Sequence, residues 1–200
     1  DIFEEIYDFD DDYDMVHLND KVNLINRNNK LLSDTWFDEF KDFFDGYAGV
    51  NLGDKWNFIN TDGKIISDTW YDRVYDFYDG YAKVKLNNKW NFINRNNKLL
   101  SDTWYDTVYD FSNGYAIVLL RHKYNFIDKN GKLISNMWFD DMDIFYYGCA
   151  KVRLNNKWNF VDTNGKLISD TWFKYVAHFD EGYARVQLDN KWNLIDTHGK

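Results

Sequence analysis

The 200-residue chain has no proline and a single cysteine, Cys149. No disulfide can form within it, and redox compartment cannot be inferred from cysteine usage. No apolar run approaches the length of a membrane-spanning helix, and no secretory leader is visible. Asp1 in place of Met leaves that last absence without weight. Basic residues are also in deficit: 24 Lys and Arg against 33 Asp and Glu give a formal net charge of -9. A phosphate-tracking surface needs clustered cations, so nucleic acid is not an expected partner, and neither is an anionic membrane. What the chain has in excess is aromatic side chains, 20% of all residues, together with Asn, Asp and Gly. That mixture suits strands and tight turns and excludes a disordered polymer.

The aromatics are periodic. Trp36, Trp70, Trp104, Trp138 and Trp172 recur every 34 residues. Trp56, Trp90, Trp158 and Trp192 keep the same spacing, with Val22 and Tyr124 in the two remaining slots. Gly46, Gly80, Gly114, Gly148 and Gly182 form a third series, with Asp12 in the first copy, and no insertion or deletion breaks the register. Six copies result, bounded at about 1-34, 35-68, 69-102, 103-136, 137-170 and 171-200 within one repeat domain. Units of this size that cannot bury a face alone stack on their neighbours.

Within one copy, Ala82, Val84 and Leu86 alternate with Tyr81, Lys83 and Lys85, the pattern of a half-buried strand. Asn87-Asn88 predicts a two-residue hairpin turn with positive φ, and Lys89 to Ile93 a second strand. A second turn follows, written Thr61-Asp62-Gly63 or Thr163-Asn164-Gly165 in other copies, with glycine in the left-handed position. A short third strand, Leu-Leu-Ser or Leu-Ile-Ser, is expected next. The stretch from Trp70 to Phe77 has Trp70, Val74 and Phe77 at helical spacing but reads better as an extended or bent segment. Tetratricopeptide repeats share the period, yet two long helices do not fit beside two turns and a run of strict alternation. The expected fold is therefore all-β: a tandem array of six 34-residue β-hairpin or three-stranded units. An open solenoid or superhelix is expected over a closed six-bladed propeller, whose four-stranded blades take about 40 residues or more. No obvious capping unit is seen at either end.

The string G-Y-A-x-V-x-L, followed by N-x-K-W-N-F-I-[ND]-x-x-G-K, resembles the WG (KWG) repeat family over essentially all 200 residues. Its usual form places glycine after the tryptophan; here the slot holds Asn57, Asn91, Asn125, Asn159 and Asn193, asparagine being a residue tolerant of unusual φ. The resemblance implies a non-catalytic module of the kind found in bacterial and phage-associated proteins, with no catalytic residue to carry over.

The chemistry of single residues points the same way. Asp128-Lys129-Asn130-Gly131 and Asp162-Thr163-Asn164-Gly165 are similar to the start of a calcium loop, but the twelfth positions are Phe139 and Phe173 where a bidentate Glu is required. Neither metal nor cofactor is expected. His17, His122, His178 and His198 sit at variable positions without zinc-like spacing, and Cys149 fills a tyrosine slot with no recurring base beside it. Asp38, Asp72, Asp106 and Asp140 form one carboxylate column, and Asp42, Asp76 and Asp110 another. A glycosidase pair needs two unlike environments in one cleft, so recurring carboxylates suit turn chemistry and a solubilising face better, and no enzyme is expected. The candidate binding surface is the tyrosine slot, Tyr47, Tyr81, Tyr115 and Tyr183, with Lys83, Lys151 and Arg185 beside it. Tyrosine and arginine combine apolar area with a polar end and favour interfaces. The alternative, tyrosines packed between neighbouring units, stands equally open. A structural or protein-interaction scaffold is the leading expectation, with a protein partner. A lectin-like module gripping carbohydrate or a cell surface through an aromatic ladder is the second.

Overall fold

The computed structural model describes residues 3–200. All regular structure among them is β. The chain divides into two compact units, one ending at Trp104 and one beginning at Tyr105. The first unit holds three antiparallel meanders: β1 (Glu5–Asp8), β2 (Tyr13–Leu18) and β3 (Lys21–Asn26); β4 (Glu39–Phe44), β5 (Tyr47–Leu52) and β6 (Lys55–Asn60); β7 (Arg73–Val74), β8 (Tyr81–Leu86) and β9 (Lys89–Asn94). The second repeats the plan with β10 (Thr107–Val108), β11 (Tyr115–Leu120) and β12 (Lys123–Asp128); β13 (Asp141–Met142), β14 (Cys149–Leu154) and β15 (Lys157–Asp162); β16 (Tyr175–Val176), β17 (Tyr183–Leu188) and β18 (Lys191–Asp196). The expected all-β tandem array of six three-stranded units is what the sequence forms.

The turns follow from residue chemistry. Asn87 and Asn88 both take positive φ, 50° and 63°, the pair of angles that matches a two-residue turn to the twist of its strands. Gly63 and Gly165, at φ 78° and 79°, close the next turn. There Asp162 Oδ1 accepts the N–H groups of Asn164 and Lys166, each at 2.9 Å, so one carboxylate oxygen is committed to the loop itself.

The third strand of each sheet differs in position from the expected one. Leu-Leu-Ser contributes only single bridges, such as Ile25 with Leu31. The sheet's remaining strand comes instead from the extended stretch after the Trp36-type tryptophan, as β4 and β7 show. The reason is that this crossover segment serves two sheets in succession. Leu32 N–H donates to Leu24 O at 2.8 Å, and Val22 and Phe37 exchange both backbone hydrogen bonds, so residues 31–37 line the outer edge of β3. One residue later Asp38 N–H donates to Asn51 O at 2.9 Å, and the chain joins β5.

Each crossover is clamped by the asparagine after the Trp56-type residue. Asn57 is fully buried, and its Nδ2 donates to Ser67 O at 2.7 Å and Thr69 O at 3.2 Å. Its Oδ1 accepts Phe58 N–H at 2.8 Å. Asn23, Asn91, Asn125 and Asn159 repeat the arrangement. None of these is at positive φ, so the asparagine stands where it does for its side-chain amide and not for backbone tolerance.

The core lies between consecutive sheets inside each unit. Phe58 and Tyr47 meet Phe77 at 4.8 and 4.7 Å between ring centroids, above Val74, Ala82, Val84 and Ile93. Phe126 and Tyr115 meet Phe145 at 4.3 and 4.7 Å above Met142, Ala150, Val152 and Val161. The small Ala slot lets sheets approach closely while aromatics fill the remaining thickness.

The carboxylate column ties one repeat to the next. Asp38 pairs with Lys21 and accepts Gly53 N–H at 2.6 Å; Asp72 pairs with Lys55 and accepts Asn87 N–H at 2.7 Å. Asp140 does the same with Lys123 and Asn155. In each the lysine, then the turn N–H, holds the carboxyl below its ordinary range. A carboxylate depressed in the folded state adds stability above its unfolded pKa and loses it as pH falls through the folded value. The urea midpoint is therefore expected to drop as pH falls below about 4, and an Asp72→Asn variant should show a shallower drop than the parent. The side chains are about one-third exposed, so the effect should shrink in high salt.

Candidate functional site

The tyrosine slot turns toward the following repeat. Tyr47 is half-buried against Phe77, and its hydroxyl donates to Arg95 O at 3.3 Å, 48 residues away. Tyr13 reaches Thr61 O in the same manner at 3.2 Å. Tyr115 packs on Phe145, and Cys149, in the same slot, points its Sγ at Thr197 O, 3.9 Å away. Burial pushes that thiol up from its ordinary pKa, the opposite of what a nucleophile needs. Tyr81 is half-buried on β8, and Tyr183 is exposed on β17. The structure thus places Tyr47 and Tyr115 between sheets of their own units and leaves Tyr183 exposed.

The cations named beside that slot lie apart from it: Lys151 over a Trp56-type indole, Lys83 over Tyr75, and Arg185 exposed. Lys83 Nζ sits 4.7 Å from the Tyr75 ring, and Lys85 Nζ sits 5.5 Å from Trp90. Tyr75 and Trp90 are themselves 5.7 Å apart. Lys41 covers Trp56 at 4.3 Å. In the second unit Lys151 and Arg153 lie over Trp158 at 4.6 and 5.4 Å, and Asp143 and Asp141 neutralise them at 3.6 and 3.3 Å. Arg185 is exposed on β17 opposite Leu194. A cation over an indole face is worth about 0.5–1 kcal/mol at such exposed sites.

Neither these tryptophans nor Tyr75 is among the binding residues expected from the sequence. The signal was present in the hairpin register: Lys85 stands directly opposite Trp90, and Arg153 opposite Trp158. Cross-strand partners this close to a two-residue turn share one face and meet. The other chemistry examined in the sequence resolves into local contacts. Asp128 and Asp162 cap their own turns, and among the described residues no three His, Cys, Asp or Glu side chains gather as a metal site. His178 lies 3.8 Å from Asp143, and His17 packs edge-on to Tyr7.

A β-repeat array with recurring aromatic–cation clusters is the class these features define. The sequence model described as "WG containing repeat" matches residues 24–56, 58–90, 92–124, 126–158 and 160–192, and the chain belongs to that family. No curated protein sequence matches it. Among solved structures, Hsv2 of Kluyveromyces lactis is 9% identical with a TM-score of 0.38, over 95% of this chain and 71% of that one. PorZ of Porphyromonas gingivalis, described as a bacterial surface component of the type-IX secretion system, is 10% identical with a TM-score of 0.36, over 99% and 32%. A protein of unknown function from Bacteroides caccae is 13% identical with a TM-score of 0.29, over 90% and 87%. These scores are too low to assign a shared fold.

Proposed function

We propose that the chain is a non-enzymatic WG-type repeat module that serves as a structural or protein-interaction scaffold. The observation that carries this reading is the recurrence of an indole with a lysine or arginine over it at Trp56, Trp90 and Trp158, the same register position in three of the sheets. Similar weak subsites at a fixed spacing gain strength through multivalency and suit an extended protein partner. The carboxylate column, the strongest catalytic candidate in the sequence, is occupied by lysines and turn N–H groups. At Asn57, Asn91 and Asn159, Trp-Asn in place of the family's usual Trp-Gly serves the crossover clamp. A net charge of -9 speaks against nucleic acid and anionic membrane as partners. A sugar-binding ladder has less support, because a sugar stacks on a free aromatic face and those of Trp56, Trp90 and Trp158 are covered by the chain's own cations.

The test is recovery of bound material from an extract of the native source on immobilised protein. Parent and a Tyr75→Ala/Lys83→Glu/Lys85→Glu variant should be run side by side. A stoichiometric protein retained by the parent and reduced at least tenfold on the variant is the expected result. Polysaccharide retained with no protein would replace the scaffold reading with the lectin one.

A further inference from the structure

The sheets β7–β8–β9 and β13–β14–β15 carry cations at the same two places but set different groups opposite them. Antiparallel pairing puts Asp141 opposite Arg153, and Arg153 opposite Trp158. In the first unit the corresponding row across the sheet reads Arg73, Lys85, Trp90. One step along, Asp143 N–H donates to Lys151 O at 2.9 Å, and Tyr75 N–H donates to Lys83 O at the same distance. The second unit closes this arrangement on itself: the Arg153 guanidinium lies 3.3 Å from Asp141, and Lys151 Nζ lies 3.6 Å from Asp143. In the first unit Arg73 and Tyr75 stand where those two aspartates would be. Arg73 therefore faces Lys85 directly across β7 and β8, and like charges so placed repel. Among the described residues no carboxylate pairs with Arg73 or with Lys85. Arg73 is exposed, Lys85 and Trp90 are half-buried, and Tyr75, 5.7 Å from Trp90, is 42% exposed.

We infer that the Arg73–Lys85–Trp90 row is a docking site for an extended acidic segment of a partner protein, with carboxylates at alternate positions. The second unit supplies the template, since there two carboxylates two residues apart, Asp141 and Asp143, meet the corresponding cations. Alternate side chains of an extended segment lie on one face about 7 Å apart. Lys83 and Lys85 repeat at that interval along β8. A carboxylate between Arg73 and Lys85 relieves their repulsion, and the guanidinium can donate two parallel hydrogen bonds to it. Tyr75 beside them adds apolar area and a hydroxyl donor. The net charge of -9 does not forbid this contact, because exposed charges more than about 8 Å away are largely screened at physiological salt. A polynucleotide fits less well, since its phosphates need a longer cationic track than one row provides.

The inference rests on the scaffold reading and names the chemistry of its partner. The probe is a blocked peptide, Ser-Glu-Ser-Glu-Ser-Glu-Ser, titrated against the full chain, with the same peptide carrying Gln for Glu as its control. Saturable binding that is at least tenfold weaker for the Gln peptide, and weaker in high salt, is the expected result. Arg73→Asp is the decisive variant, because it gives β7 the residue that β13 already has. It should reduce binding at least tenfold while holding or raising the urea midpoint, since a repelling pair becomes an attracting one. Arg73→Gln, which removes the charge alone, should weaken binding severalfold. A Glu peptide that fails to bind, binds no better than the Gln form, or binds Arg73→Asp undiminished overturns the site. A short single-stranded RNA bound more tightly than the peptide overturns the peptide class. The extract experiment separates this inference from the scaffold reading. A protein retained by the parent and by Arg73→Asp, but lost on the Tyr75/Lys83/Lys85 variant, sustains the scaffold and overturns the acidic docking row.

Discussion

Asn57→Ala is expected to lower the unfolding free energy by about 3 kcal/mol, since it deletes three buried hydrogen bonds and strands two carbonyls. The Asn57 side chain is fully buried, and its bonds to Ser67 O and from Phe58 N–H lie in the interior. Asn57→Asp should be at least as damaging, because a carboxylate would face the two carbonyls that the amide nitrogen now serves. The chain carries its own control. Asn193 occupies the same slot on β18, is exposed, and keeps only the bond from Leu194 N–H to its Oδ1. Asn193→Ala should therefore change stability by no more than about 0.5 kcal/mol. Urea titration of the three variants beside the parent measures the difference, and equal effects at Asn57 and Asn193 would refute the clamp.

Gly63→Ala should cost about 3 kcal/mol or more, through a collision and not through backbone preference. A Cβ added there would lie 1.7 Å from Leu32 O, a backbone atom of the crossover that the turn abuts. Left-handed φ alone does not forbid a side chain in this turn, for Asn29 and Asn97 hold the equivalent position at 59° and 58°. Gly46 separates the two causes. Its φ of 81° is similar, but a Cβ there meets nothing within 4 Å. Gly46→Ala should cost only the conformational share, about 1 kcal/mol, and thermal melts of the pair give the comparison directly.

Much of this fold is legible in the order of residues. Alternation at Ala82, Val84 and Leu86 predicts the half-buried strand, and Asn87-Asn88 predicts both the turn and its positive φ. The crossover was harder to read because its residues pair with two different sheets in turn, and no single period describes a strand that changes neighbours. The asparagine clamp was hidden for a different reason. A polar residue inside a strand reads as solvent-facing, and only its geometry shows Asn57 buried with every polar atom engaged. Its recurrence beside variable neighbours, Val22, Trp56 and Tyr124, was the available hint. For the surface, charge composition argues against nucleic acid and anionic membrane as partners but does not locate the proposed site, because the lysines that flank Tyr81 in sequence reach over Tyr75 and Trp90 in space.

The crossover strand gives the array a ruler. The asparagine that clamps it reaches residues 10 and 12 positions on, the lysine of the same strand a carboxylate 17 on, and the tyrosine of the strand before a carbonyl 48 on. Within each compact unit, half of a crossover belongs to the sheet behind and half to the sheet ahead, so no boundary can be drawn there that leaves a self-sufficient repeat on either side. Adding or removing one full period leaves the asparagine contacts in register wherever the frame begins, although the tyrosine contact reaches beyond one period. Copy number can therefore change by whole periods, through duplication or loss in any frame, and every clamp finds its mate. A change of one residue inside the period breaks several at once.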